Sequence, residues 1–122
     1  MIDNRAVEFP RIDDRLIGVP TRHGITVGSS KLVRYDLAHG TAEEHSFGTA
    51  TQPGGPAEAV FAPANSGANE LSGWYLSYVY DPVRDGSDLV IIDASDFQGK
   101  PVARVQLPQR VPYGFHGNWI AD

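Results

Sequence analysis

Apolar residues in this chain come in short runs, and turn-forming residues cut each run off before a helical period can build. Leu32-Val33-Arg34-Tyr35-Asp36-Leu37 predicts a strand, His39-Gly40-Thr41 a turn, and Glu43 to Phe47 a returning strand. Glu58 to Ala62 predicts a third strand, and Pro63 to Ser72 reads as a polar loop. Gly73 to Tyr80 is aromatic-rich and strongly β-prone, with Trp74, Tyr75, Tyr78 and Tyr80 expected mainly in the core. After a turn at Pro82 to Ser87, the continuous apolar run Asp88 to Asp93 predicts a strand covered on both faces. From Pro101 to Leu107, Val102, Arg104 and Gln106 alternate with Ala103, Val105 and Leu107. Thirteen Gly and nine Pro are spread through the chain, so the fold class is all-β.

The pattern also repeats. Lys31 to Leu37 aligns with Asp88 to Ala94, an offset of 57 positions (88 − 31), and a turn and a returning strand follow each copy. A repeat of this length built from short antiparallel strands predicts blades of a β-propeller, and the chain holds about two. Two blades cannot close a ring, so the pattern implies part of something larger. The competing expectation is a stand-alone β-module, a small sandwich, which binds a partner or dimerises through an exposed edge strand.

Composition narrows the classes. The 122 residues amount to one domain or less, with 41% hydrophobic and 20% charged residues, as in ordinary globular proteins. Net charge is −5 and the ten Lys and Arg form no basic stripe, which argues against nucleic acid. Without Cys there is neither a disulfide framework nor a thiolate metal site. No run approaches the roughly 18 apolar residues of a membrane span, and no secretory signal is visible, so a cytoplasmic location is expected. P-loop, dinucleotide-binding, zinc-protease and nucleophile-elbow motifs are absent.

The informative stretch is Leu107-Pro108-Gln109-Arg110-Val111-Pro112-Tyr113-Gly114-Phe115-His116-Gly117-Asn118-Trp119. Its prolines keep Gln109 to Tyr113 extended, and the flanking glycines allow tight turning or close approach around His116. Such a frame can hold one imidazole at a chosen point, although a lone His among aromatic residues also fits a hydrogen-bonded core position. His23 in a Gly-rich connection, His39 in a turn and His45 on a strand bounded by acidic residues read as solvated. By themselves, Glu8 and Glu58 read as surface charge.

This closing stretch resembles the signature of the carotenoid cleavage oxygenase family, which includes lignostilbene dioxygenases. Four further segments resemble that family in the same order: Val7 to Asp13, Leu32 to Asp36, Gly55 to Pro63, and Gly73 to Asp81 followed by Asp88 to Asp93. The resemblance implies a seven-bladed propeller carrying Fe(II) on its axis, held by four His, of which residues 1–122 would be the C-terminal portion. It implies His116 as the last iron ligand, with Glu8 and Glu58 as carboxylates that accept hydrogen bonds from ligand histidines. The other three ligands would lie outside this chain, leaving it inactive alone. The implied partners are O2 and an apolar conjugated substrate cleaved to two carbonyl products. Membrane-surface association of the intact enzyme leaves no trace in these residues.

Overall fold

The computed structural model describes residues 4–122, which form nine strands, β1 Glu8–Arg11, β2 His23–Val27, β3 Lys31–Asp36, β4 Thr41–Ser46, β5 Gly55–Pro56, β6 Val60–Pro63, β7 Gly73–Asp81, β8 Gly86–Asp93 and β9 Ala103–Gln106. Two antiparallel sheets result. The first runs β1-β2-β3-β4; in the second β5 and β6 both pair with β7, followed by β8 and β9. Short 3-10 turns lie at Asp14–Leu16 and Ala94–Asp96. Strands β3, β4 and β6 to β9 fall within two residues of their expected bounds. The pairs β1–β2 and β5–β7 were not foreseen, because Pro and Gly interrupt β1, β2 and β5.

The internal repeat is structural. Strands β3 and β8 are each third in their sheet, with Leu32 opposite His45 and Leu89 opposite Val105. Each ends on an Asp whose carboxylate accepts backbone N–H bonds, Asp36 from Ala38 and His39, and Asp93 from Ser95. The sheets stack as consecutive blades of an unclosed β-propeller. One core joins them: Ile25, Val27 and Leu32 from the first, Phe61, Tyr75, Val79, Val90 and Ile92 from the second. Gly73 is required by close packing, since a Cβ there would lie 2.3 Å from the Ala62 carbonyl oxygen.

Phe97 seals the contact. Its ring packs edge-on against Tyr75, and the guanidinium of Arg34 lies 5.0 Å from its centroid. The Arg34 guanidinium also donates to the Ala94 carbonyl and pairs with Glu43. His45 is buried here and donates from Nδ1 to the Phe97 carbonyl at 2.7 Å, so it is not solvated as its acidic neighbours suggested. His23 is also buried, on β2 rather than in a connection, and its Nδ1 has no hydrogen-bond partner among the described residues. Desolvation lowers its pKa. Of the three histidines expected to be solvated, His39 alone is exposed, paired with Asp36.

Strand β8 is covered on one face. Val90 and Ile92 are fully buried against the first sheet, while Leu89 and Ile91 point the other way. They share that open face with Trp74, Leu76, Tyr78 and Val105, of which Trp74, Tyr78 and Val105 are 39–49% exposed. Of the aromatic cluster, then, only Tyr75 is core. The equivalence of Leu32 with Leu89 explains the asymmetry: Leu32 is buried by the next sheet, and the residues described here include no sheet that does the same for Leu89.

Candidate metal-ligand site

Two β-bulges build the site. Between Glu8 and Arg11 the ladder advances three residues while its partner moves two, from Val27 to Ile25. Phe9, inside this bulge, adopts φ +52°, a left-handed conformation unusual for a bulky residue. Between Pro56 and Val60 the chain advances four residues against three on β7, from Val79 to Leu76. Glu58 therefore sits on a bulge rather than on the strand expected for it. Bulges redirect side chains, and these two bring Phe9, Arg11 and Glu58 to one point at the junction of the sheets.

The stretch after β9 crosses that point without regular structure and is exposed from Pro112 onward. Leu107 N–H donates to the Ser87 carbonyl and Val111 N–H to Ser87 Oγ, both at 2.9 Å. Arg110 lies between the rings of Tyr80 and Tyr113, 4.8 and 4.9 Å from their centroids. The extended path matches expectation. Gly114 and Gly117, however, have open space where a Cβ would stand and no positive φ, so no tight turn or close approach among the described residues requires them.

His116 and Glu58 meet directly. His116 Nδ1 lies 2.9 Å from Glu58 Oε2, while Glu58 Oε1 accepts from Arg11 Nη1 at 2.7 Å and from Gly117 N–H at 3.2 Å. Phe9 packs edge-on against the imidazole, with centroids 5.6 Å apart. The Glu58 side chain is 3% exposed and that of His116 is 73% exposed. Burial pushes the Glu58 carboxyl up, but the bonds from His116, Gly117 and Arg11 outweigh it, and its pKa falls below the ordinary value. A carboxylate on Nδ1 fixes the ring as the Nδ1–H tautomer and leaves Nε2 as the donor atom. The arrangement suits one imidazole ligand. Among the described residues, no group of three or more His, Cys, Asp or Glu is placed to hold a metal.

Glu8 is brought to the same region but not into the pair. It is exposed on β1, and its carboxylate meets neither His116 nor a cation among the described residues. Arg11 is the residue that sequence reasoning passed over. Its position within the Val7 to Asp13 segment was visible, but its reach across to Glu58 depends on a bulge.

Comparison with known proteins gives concordant results. The family described as retinal pigment epithelial membrane protein matches residues 1–121. A carotenoid cleavage oxygenase of Mycobacterium tuberculosis is 37% identical over 130 residues, covering 96% of this chain and 25% of that protein. A variant of the Synechocystis apocarotenoid oxygenase superposes with a TM-score of 0.89 at 28% identity, over 99% of this chain and 26% of its own. The lignostilbene dioxygenase of Pseudomonas brassicacearum gives 0.91 at 26% identity, over 99% and 28%. The chain thus spans about a quarter of the length of the relatives it matches.

Proposed function

Because the chain belongs to the carotenoid cleavage oxygenase family, described as retinal pigment epithelial membrane protein, we propose that it is the closing part of a non-haem Fe(II) dioxygenase. That enzyme cleaves a conjugated C=C bond of a carotenoid, apocarotenoid or stilbene with O2, giving two carbonyl products. Residues 1–122 belong to a single seven-bladed propeller domain whose other blades carry the remaining ligands. The observation that carries the reading is the His116–Glu58 pair, standing within the stretch that resembles the family's signature.

In this reading His116 holds iron through Nε2. Neutral imidazoles suit Fe(II), which when bound supplies the activation of O2. Glu58 accepts the Nδ1–H bond, sets the tautomer and raises the basicity of the ligating nitrogen. Phe9 supports one edge of the ring. Glu8 serves a ligand histidine from another part of the polypeptide. The substrate class rests on the names of the relatives, which act on carotenoids, apocarotenoids and lignostilbenes.

A full-length polypeptide containing these residues, loaded with Fe(II) and given such substrates under O2, is expected to release two carbonyl products. The 122-residue chain alone is expected to give no turnover above free iron, because one matched imidazole cannot retain the metal against water and buffer. Turnover by the isolated chain would overturn the four-ligand reading. The open face of β7 and β8 favours one alternative, a module that associates with a partner without catalysis; a full-length polypeptide that binds no iron would decide for it.

A further inference from the structure

The tail that carries His116 is irregular, mostly exposed and tied down by few bonds, yet a metal ligand has to be held still. The bonds around His116 converge on Glu58 and Arg11. Nη1 donates to Glu58 Oε1 at 2.7 Å and to the Gly117 carbonyl at 2.9 Å. Nη2 donates to Asp14 Oδ1 and Oδ2 at 3.1 and 2.9 Å, and to Asn118 Oδ1 at 3.3 Å. One planar fork thus touches the carboxylate that holds the imidazole, the two residues that follow the imidazole, and the corner after β1. Glu58 closes the loop, its Oε1 also accepting the Gly117 N–H.

We infer that Arg11 is the positioning residue for His116: its guanidinium clamps Glu58 and the tail into one unit. This rests on the reading of His116 as a ligand for its purpose, while the clamp itself stands on geometry. Two simpler roles make different demands. If Arg11 only supplied positive charge to buried Glu58, Lys would replace it. If it only filled space, Gln would serve. The observed contacts need donors aimed in several directions from a rigid plane, which an ammonium on a flexible stem does not provide. The left-handed Phe9 in the bulge before it is the local irregularity that accompanies this aim.

The test uses the 122-residue chain at fixed pH, without metal. Amide exchange of the tail is followed by mass spectrometry, and the ring nitrogens of the four histidines by NMR after selective labelling. The wild type should show His116 as the single Nδ1–H tautomer, with Gly117 protected. Arg11→Gln should speed Gly117 exchange about tenfold or more, the scale of a lost charged hydrogen bond, and mix the His116 tautomers. Arg11→Lys should leave both readouts shifted, with His23 and His45 unchanged. Full recovery in Arg11→Lys, or wild-type behaviour in Arg11→Gln, would overturn the inference. Should Arg11→Gln not fold, Asp14→Asn decides. It removes charge from the outer partner of the guanidinium at an exposed site, and should shift the same readouts less far; no shift would overturn the clamp. Neither readout involves iron, so failure of the metal reading and failure of the clamp are separately visible.

Discussion

Replacing Phe97 by Ala should separate the two sheets. Phe97 is 1% exposed and follows the 3-10 turn Ala94–Asp96. Its ring meets Tyr75 at 5.7 Å and His45 at 6.0 Å, and lies under Arg34. Truncating a buried Phe costs about 3–5 kcal/mol, counting lost transfer energy and the cavity. The upper half of that range is expected, because the Arg34 guanidinium would also lose the ring it lies over and His45 its edge contact. A single domain is stable by about 5–15 kcal/mol, so about a quarter or more of the total is at stake. At this chain length 1 kcal/mol moves Tm by roughly 3–5 °C, which puts the expected fall at about 12–25 °C. Urea and thermal unfolding followed by far-ultraviolet circular dichroism at low protein concentration measure it, with Phe97→Leu as a milder control. A loss below about 1 kcal/mol in Phe97→Ala would refute the claim that this cluster holds the blades together.

Burial depresses the His23 pKa, so its neutral form contributes stability that is present above the ordinary histidine value near 6.5 and is lost as pH falls through the lowered folded value. Stability should therefore drop below about pH 6.5, by at most about 1.4 kcal/mol per pH unit for one proton, and His23→Leu should flatten that region in unfolding curves taken across pH. The open face of Trp74, Leu76, Tyr78 and Leu89 should drive concentration-dependent association of the isolated chain; Tyr78→Lys should reduce it in sedimentation velocity, whereas Val83→Lys, at an exposed turn, should not.

Much of the fold was legible because the strands of each blade that carry large apolar residues alternate or run continuously between Gly and Pro turns. The repeat of β3 in β8 makes the blade architecture readable from the sequence. What stayed hidden was tertiary. His45 looks solvated beside Glu43 and Glu44, but strand alternation turns its ring inward, where the Phe97 carbonyl accepts its proton. The run Asp88 to Asp93 looks covered on both faces because it would be covered if another sheet followed. His116 and Glu58 could be named from the resemblance, yet nothing in their spacing reveals that they pair with each other. Glu8, named in the same way, stands apart from that pair. Arg11 escaped notice since a one-residue bulge, invisible in composition, aims it.

The ligand claim is tested most directly by iron content. In a full-length polypeptide containing this segment, His116→Ala, Glu58→Gln and wild type would be purified in parallel and their iron stoichiometry measured beside the rate of carbonyl formation. His116→Ala should lose iron and activity together, and Glu58→Gln should weaken either by about 10–100-fold, since the amide oxygen still accepts from Nδ1 but raises ligand basicity less. Full iron and normal turnover in His116→Ala would contradict the assignment.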